Sequence, residues 1–138
     1  MKPIFIDLKI IADARGSLVA IESLKNVPFD MQRVYFIFGL SPSLRRGQHA
    51  HKKNKQVALC IQGQCTFLLD DGHQKTEVIL KSPTQGLLVN EMIWHEMFDF
   101  SADCILMMIA SDMYDELDYI RGYNNFLRMT KDVHSPIG

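Results

Sequence analysis

The chain is short of the residues that would hold a fold together by anything except burial. Cysteine is scarce: Cys60, Cys65 and Cys104 are an odd number with no CxxC pair. A disulfide framework is therefore not expected, and a reducing cytoplasm is the expected compartment. There is no excess charge of one sign, because 15 Lys and Arg face 16 Asp and Glu for a formal net charge of -1. A protein that binds nucleic acid through its phosphates carries a basic excess, and none is present. Long apolar runs are also absent. The longest, Cys104 to Ala110, falls far below the ~20 residues a bilayer-spanning helix takes. Asp7 and Lys9 interrupt the apolar start, so it does not read as a secretory leader. With no linker, low-complexity tract or internal repeat, the 138 residues read as one domain, 1–138. What remains is a soluble enzyme or small-molecule binder, with no nucleic-acid or membrane partner expected.

What the chain does have is closely spaced short runs rich in β-branched and aromatic residues. They are Leu18–Ile21, Val34–Phe38, Val57–Ile61, Cys65–Leu69, Glu77–Leu80, Gly86–Val89 and Cys104–Ala110. Turn signals punctuate them at Arg15-Gly16-Ser17, Gln62-Gly63-Gln64, Asp70-Asp71-Gly72 and Ser82-Pro83. Strands at such spacing predict an all-β sandwich or barrel, and Asp71-Gly72 between two runs predicts a hairpin. From Tyr119 to Met129 the apolar positions recur every three or four residues, which predicts a short C-terminal helix weakened by Gly122. Val133–Gly138 is expected to fray. Phe36, Phe38 and Trp94 are expected to pack in the core, and the three cysteines to be buried small hydrophobes.

The most informative stretch runs from Arg45 to Gln56, RRGQHAHKKNKQ. His49 and His51, one residue apart, share a face if the segment is a strand. Paired imidazoles suit proton transfer or metal ligation. Two surface histidines beside solvated Lys52 and Lys53 would give the same pattern.

The spacing His49-x-His51, then Gln56, then Gly63 resembles the first motif of the cupin superfamily, small jelly-roll β-barrels. Metal-binding cupins place a glutamate where Gln56 stands, and a neutral amide is a poor ligand for a divalent cation. The second motif is degraded: Met92 and Trp94 replace the usual Pro and Gly, Met97 occupies a ligand-histidine position, and His95 is out of register. A metal-free cupin is therefore expected. More closely, RGQHAHKK from Arg46, LDDG from Leu69, WHEM from Trp94 and ASDMYDELDYIR from Ala110 resemble the bacterial dTDP-4-oxo-6-deoxyglucose 3,4-ketoisomerases, the WxcM-like group. The similarity covers the chain from Asp13 to about Phe126.

That resemblance implies an all-β, cupin-type jelly-roll barrel with a short C-terminal helix. It implies a cytoplasmic isomerase acting on a dTDP-sugar, with no cofactor and no metal, working as a homodimer that exchanges its N-terminal strand (Ile4–Ile11). His49 and His51 would be the catalytic acid and base, His51 handling the carbon proton. Arg15 and His95 would approach the sugar, and their joint presence is similar to the galacto-forming members. Arg46, then Arg33 and Arg121, would take the diphosphate through guanidinium forks. Tyr35 would meet the sugar or the base. The product would feed 3-amino-sugar synthesis for surface glycans. The competing readings are a metal-dependent cupin enzyme, a sugar-nucleotide 3,5-epimerase, which needs a His–Asp dyad, and a non-catalytic sugar-binding module.

Overall fold

The computed structural model describes residues 1–134. Twelve strands form: β1 Ile4–Asp7, β2 Ile11–Asp13, β3 Gly16–Leu18, β4 Arg33–Ile37, β5 Arg46–His51, β6 Gln56–Gln62, β7 Cys65–Asp70, β8 Lys75–Leu80, β9 Gln85–Val89, β10 Trp94–Phe98, β11 Ile105–Ala110 and β12 Tyr119–Ile120. One helix follows, α1 Tyr123–His134. Two five-stranded antiparallel sheets, β1-β9-β6-β11-β4 and β12-β5-β10-β7-β8, face each other. This is a cupin-type jelly roll whose sheets do not close into a continuous barrel. No helix among the described residues is long and apolar enough to cross a membrane.

Side-chain alternation divides the core into three layers. Between the sheets, Ala58, Leu87, Leu106 and Met108 from one sheet meet Phe67, Leu80 and Met97 from the other. The outer face of the first sheet, with Val57, Leu59 and Ile109, is covered by Leu8, Val27 and Phe29. The outer face of the second is covered by α1, whose Phe126 packs on Trp94, Ala50 and Ile120. Trp94 is thus a packing residue, and its indole N–H donates to Glu96 at 2.9 Å.

The Asp71-Gly72 hairpin joins β7 to β8 as expected, with Asp70 opposite Lys75. Elsewhere the expected elements shift. The Leu18–Ile21 run ends as a strand at Leu18; Val19 and Ile21 pack against the outer face of the first sheet. Ile4–Ile11 divides into β1, paired with β9, and the start of β2. The tail helix begins at Tyr123 because Tyr119 and Ile120 are taken by pairing with β5. Gly122 stands just before the helix and its carbonyl accepts from the Phe126 amide at 2.9 Å, so its low helix propensity costs nothing there. The helix is assigned through His134; the rest of the segment expected to fray, residues 135–138, lies outside the described residues.

Phe36 and Phe38 are not core residues, being 60% and 67% exposed. They project from the outer face of β4, an edge strand, and stack on each other with centroids 5.9 Å apart. The β2–β3 hairpin pairs with neither large sheet. Its apolar residues Ile11 and Leu18 are 58% and 56% exposed.

Candidate active site

Antiparallel pairing assembles a cluster of three imidazoles. His95 of β10 lies directly opposite His49 of β5, and their ring centroids are 4.6 Å apart. His51 follows on the same face, 5.1 Å from His49 and 6.1 Å from His95. Between Gly47 and His49 the register slips, leaving Gln48 as an extra residue against β10. Gly47 (φ +81°) and Gln48 (φ +57°) carry the left-handed backbone this bulge requires. A Cβ on Gly47 would lie 2.9 Å from the His95 carbonyl oxygen and from the Met97 sulfur. Only glycine admits that approach of β5 to β10.

The tautomers follow from the partners. His49 Nδ1 lies 2.9 Å from the Gly47 carbonyl oxygen and His95 Nδ1 lies 3.2 Å from that of Ile93. A carbonyl only accepts, so in both neutral rings Nδ1 carries the proton and Nε2 keeps its lone pair. His49 Nε2 is buried without a partner, as are both ring nitrogens of His51 by hydrogen-bond geometry. His51 Nδ1 nevertheless sits 3.3 Å from the Asp118 carboxylate, a close contact without hydrogen-bond alignment that becomes an ion pair only when His51 is protonated. Asp118 is fixed by the backbone N–H groups of Lys53 and Asn54, which donate to it at 2.9 and 3.2 Å.

Burial holds all three imidazoles below their ordinary range. For His51, loss of solvent and the neighbouring His49 outweigh Asp118 and bring it to about 4. For His49 and His95 the first cause is again burial. The cluster is therefore neutral at pH 7 and offers unprotonated nitrogens as bases.

Beside it opens a cavity of about 520 Å³. His49, Tyr35, Tyr119 and four arginines, Arg33, Arg45, Arg46 and Arg121, are among its walls. Arg45 pairs with Glu96 at 3.0 Å and Arg121 with Glu116 at 2.7 Å. Arg33, which lies over the Tyr35 and Tyr114 rings, and Arg46 make no ion pair among the described residues, so their guanidinium groups lack a carboxylate partner. Gln56 is fully buried, and its amide N–H donates to the Tyr35 hydroxyl at 2.8 Å. That leaves the phenol's own proton available to the cavity.

The structure thus brings His49, His51, His95, Tyr35, Arg33, Arg46 and Arg121 to one end of the jelly roll. It does not bring Arg15 there within one chain. Arg15 sits at the tip of the unpaired β2–β3 hairpin, its side chain 90% exposed and bound to Asp13 at 2.6 Å. His95, out of register by motif spacing, joins the cluster because cross-strand pairing, not linear spacing, sets its position. Asp118, Tyr119 and Arg45 were not picked out from the sequence. Asp118 and Tyr119 arrive through the short β12–β5 pairing, which linear patterning does not reveal. A close His–Asp contact, the feature that an epimerase needs, is also present as His51 and Asp118.

The donor atoms of the three histidines lie within 4.8 Å of one another, so the cluster could also hold a metal ion. The fourth position supplies Gln56, whose amide N–H is engaged with Tyr35 while its carbonyl oxygen is buried without a partner, and among the described residues no carboxylate joins the cluster as a ligand.

A jelly roll with inward-facing imidazoles beside an arginine-lined cavity is a cupin-type site suited to acid–base chemistry on an anionic substrate. The family model "FdtA: WxcM-like, C-terminal" matches residues 1–131, and the chain belongs to the WxcM-like family of 3,4-ketoisomerases. It is 55% identical over 129 residues to the TDP-4-oxo-6-deoxy-α-D-glucose-3,4-oxoisomerase of Aneurinibacillus thermoaerophilus, covering 94% of this chain and 93% of that one. The crystal structure of a 3,4-ketoisomerase from Helicobacter canadensis superposes with a TM-score of 0.93 at 41% identity, covering 96% and 99% of the two chains. A histidine-to-asparagine mutant of the Thermoanaerobacterium thermosaccharolyticum 3,4-ketoisomerase, in complex with TDP-4-keto-6-deoxyglucose, gives 0.93 at 36% identity over 97% of each.

Proposed function

We propose that the protein converts TDP-4-oxo-6-deoxyglucose to a TDP-3-oxo-6-deoxyhexose, and that residues 1–138 act as one domain in doing so. The observation that carries this reading is an imidazole cluster opening through His49 onto a cavity with two arginines that lack a carboxylate partner. The relative from Aneurinibacillus thermoaerophilus bears that activity in its name, and the Thermoanaerobacterium enzyme holds TDP-4-keto-6-deoxyglucose.

The reaction moves a carbonyl by one carbon. A base removes the C3 proton, which the adjacent C4 ketone acidifies; the electrons pass to the C4 oxygen as an enediolate. Protonation at C4 and loss of the C3 hydroxyl proton then leave the ketone at C3. His49 Nε2, unpartnered and on the cavity wall, is the group best placed to take the C3 proton. The sequence reading gives the carbon proton to His51; His49 is preferred in this proposal because His51 lies deeper, its side chain 3% exposed. The proton passes from His49 to the adjacent His51, whose imidazolium Asp118 stabilises, and His51 delivers it at C4. The C3 hydroxyl proton goes to the Tyr35 phenolate left once the phenol has protonated the C4 oxygen. The Tyr35 phenol is free to donate to the C4 oxygen as charge develops there. Arg33 and Arg46 take the diphosphate.

Arg15 and His95 together point to the galacto product. For Arg15 to reach a sugar, the hairpin must come from a second copy. The exposed Ile11 and Leu18, with Phe36 and Phe38 on the β4 edge, are apolar surface that a homodimer would cover. The unpaired thiols fit a cytoplasmic location, and the 3-keto product suits a transaminase making 3-amino sugars for surface glycans.

Incubation with TDP-4-oxo-6-deoxyglucose in D₂O, followed by NMR, tests the reading. A 3-keto product with deuterium at C4 is expected; deuterium at C5 would mean a 3,5-epimerase, and binding without exchange a non-catalytic module. The histidine cluster's 4.8 Å geometry also favours a second reading, a metal-dependent enzyme. Activity lost to a chelator and restored by a stoichiometric divalent ion would establish it.

A further inference from the structure

The proposed isomerisation leaves a second three-residue cluster unused. Cys60 near the end of β6, Cys65 at the start of β7 and Cys104 just before β11 are all buried and all unpaired. Their sulfurs lie within 4.8 Å of one another, and Cys60 and Cys104 are 3.7 Å apart. With a metal–sulfur bond of about 2.3 Å, a tetrahedral centre separates its sulfurs by roughly 3.8 Å and a trigonal one by roughly 4.0 Å. The trio is within about 1 Å of either arrangement.

The trio is separate from the imidazoles. Cys60 is four residues along β6 from Gln56, and Cys65 is four along β7 from Leu69, the residue opposite His95. Four residues of strand are about 13 Å. Phe67, Leu80, Phe100 and Leu106 belong to the same buried cluster as the three cysteines. Over them the Gln62-Gly63-Gln64 turn closes against the Ser101–Cys104 loop. A Cβ on Gly63 would collide with Ser101 Oγ. Among the described residues no histidine or carboxylate completes the group. An all-sulfur donor set rejects hard, oxygen-seeking cations and selects soft ones.

We propose that Cys60, Cys65 and Cys104 form a three-sulfur site for a soft d¹⁰ metal ion of the zinc and cadmium class. Binding replaces each S–H bond with a metal–thiolate bond and releases the thiol protons to solvent; nothing is oxidised or reduced. Cys60 and Cys104 flank the first sheet and Cys65 opens a strand of the second. A bound ion would therefore clip the two sheets together and favour the folded state by mass action.

The test uses the full chain, reduced, stripped with a chelator, and refolded from denaturant with cadmium. One equivalent should produce the thiolate-to-cadmium charge-transfer band and raise the melting temperature by about 5–10 °C. The band should persist in His49→Asn protein and disappear in Cys60→Ala. Because Cys60→Ala could fold poorly, X-ray absorption on the cadmium-loaded wild type provides the second measurement. Three sulfur neighbours support the site. No band, a band that survives Cys60→Ala, or two or fewer sulfurs would overturn it.

Discussion

The two ends of the jelly roll use one construction for opposite purposes. At each end, three side chains of one type converge into a cluster within 4.8 Å, from adjacent strands of one sheet for the histidines and from both sheets for the cysteines. The histidine cluster opens on a cavity of about 520 Å³ and keeps unpartnered ring nitrogens. The cysteine cluster is closed by the Gly63 turn and surrounded by apolar side chains. Polar groups left unsatisfied in a core are destabilising, and they collect only at the end that has a cavity to receive a partner. The chemistry is therefore assigned to the open end, and the strongest way to break that assignment is to remove its base. His49→Asn keeps size and polarity but supplies no basic nitrogen. It should lower kcat by about 10²–10⁴-fold, with exchange of the C3 proton into D₂O falling equally and the circular dichroism unchanged. Retention of full exchange would remove His49 from the reaction.

The same burial that makes the imidazoles bases makes the open end acid-sensitive. His51 titrates at about 4 in the fold against about 6.5 when unfolded. Between those values the unfolded chain binds more protons, so stability is full above about pH 6.5 and falls as pH drops toward 4. The loss from this one residue is up to about 3 kcal/mol, measurable as urea midpoints at pH 7 and pH 4.5. His51→Asn should reduce the pH dependence without abolishing it, because His49 and His95 are lowered by burial in the same direction, whereas Cys65→Ala should leave it intact.

Arg46→Ala sharpens the comparison by testing how substrate is held. Arg46 lines the cavity and has no carboxylate partner, so its loss should raise KM by about 10–100-fold with little change in kcat, the value of one charge-assisted contact. Arg45→Ala, already paired with Glu96, should have the smaller effect. Asp118→Asn comes next. It leaves an oxygen for the Lys53 amide but removes the negative charge beside His51, and kcat should fall about 10-fold.

Much of this was readable in the sequence, and the misses have physical causes. Strand runs, the Asp71-Gly72 hairpin and the His49-x-His51 pair are local patterns, so short-range periodicity reveals them. His95 and Asp118 reach His49 and His51 through β10 and β12, and which strand lies beside which is a property of topology. Phe36 and Phe38 read as core because their run alternates like any buried strand. Their exposure follows from β4 being an edge with no cover on its outer face. Arg15 was selected by motif alone, and only the unpaired hairpin shows that one chain cannot carry it to the cavity.

The smallest expected effect lies at the closed end. Cys65 is 1% exposed, and Cys65→Ala removes one sulfur from a packed core without stranding a strong hydrogen-bonding group. In metal-free protein this should cost only about 1 kcal/mol, the penalty of a methyl-sized void. Urea denaturation would show it as a lowered midpoint at unchanged slope. Initial rates at saturating TDP-4-oxo-6-deoxyglucose should match the wild type, since about 13 Å of strand separates the mutation from the imidazoles. A fall in kcat comparable to that of Asp118→Asn would mean that the ends are coupled through β7, and the division of labour between them would fail.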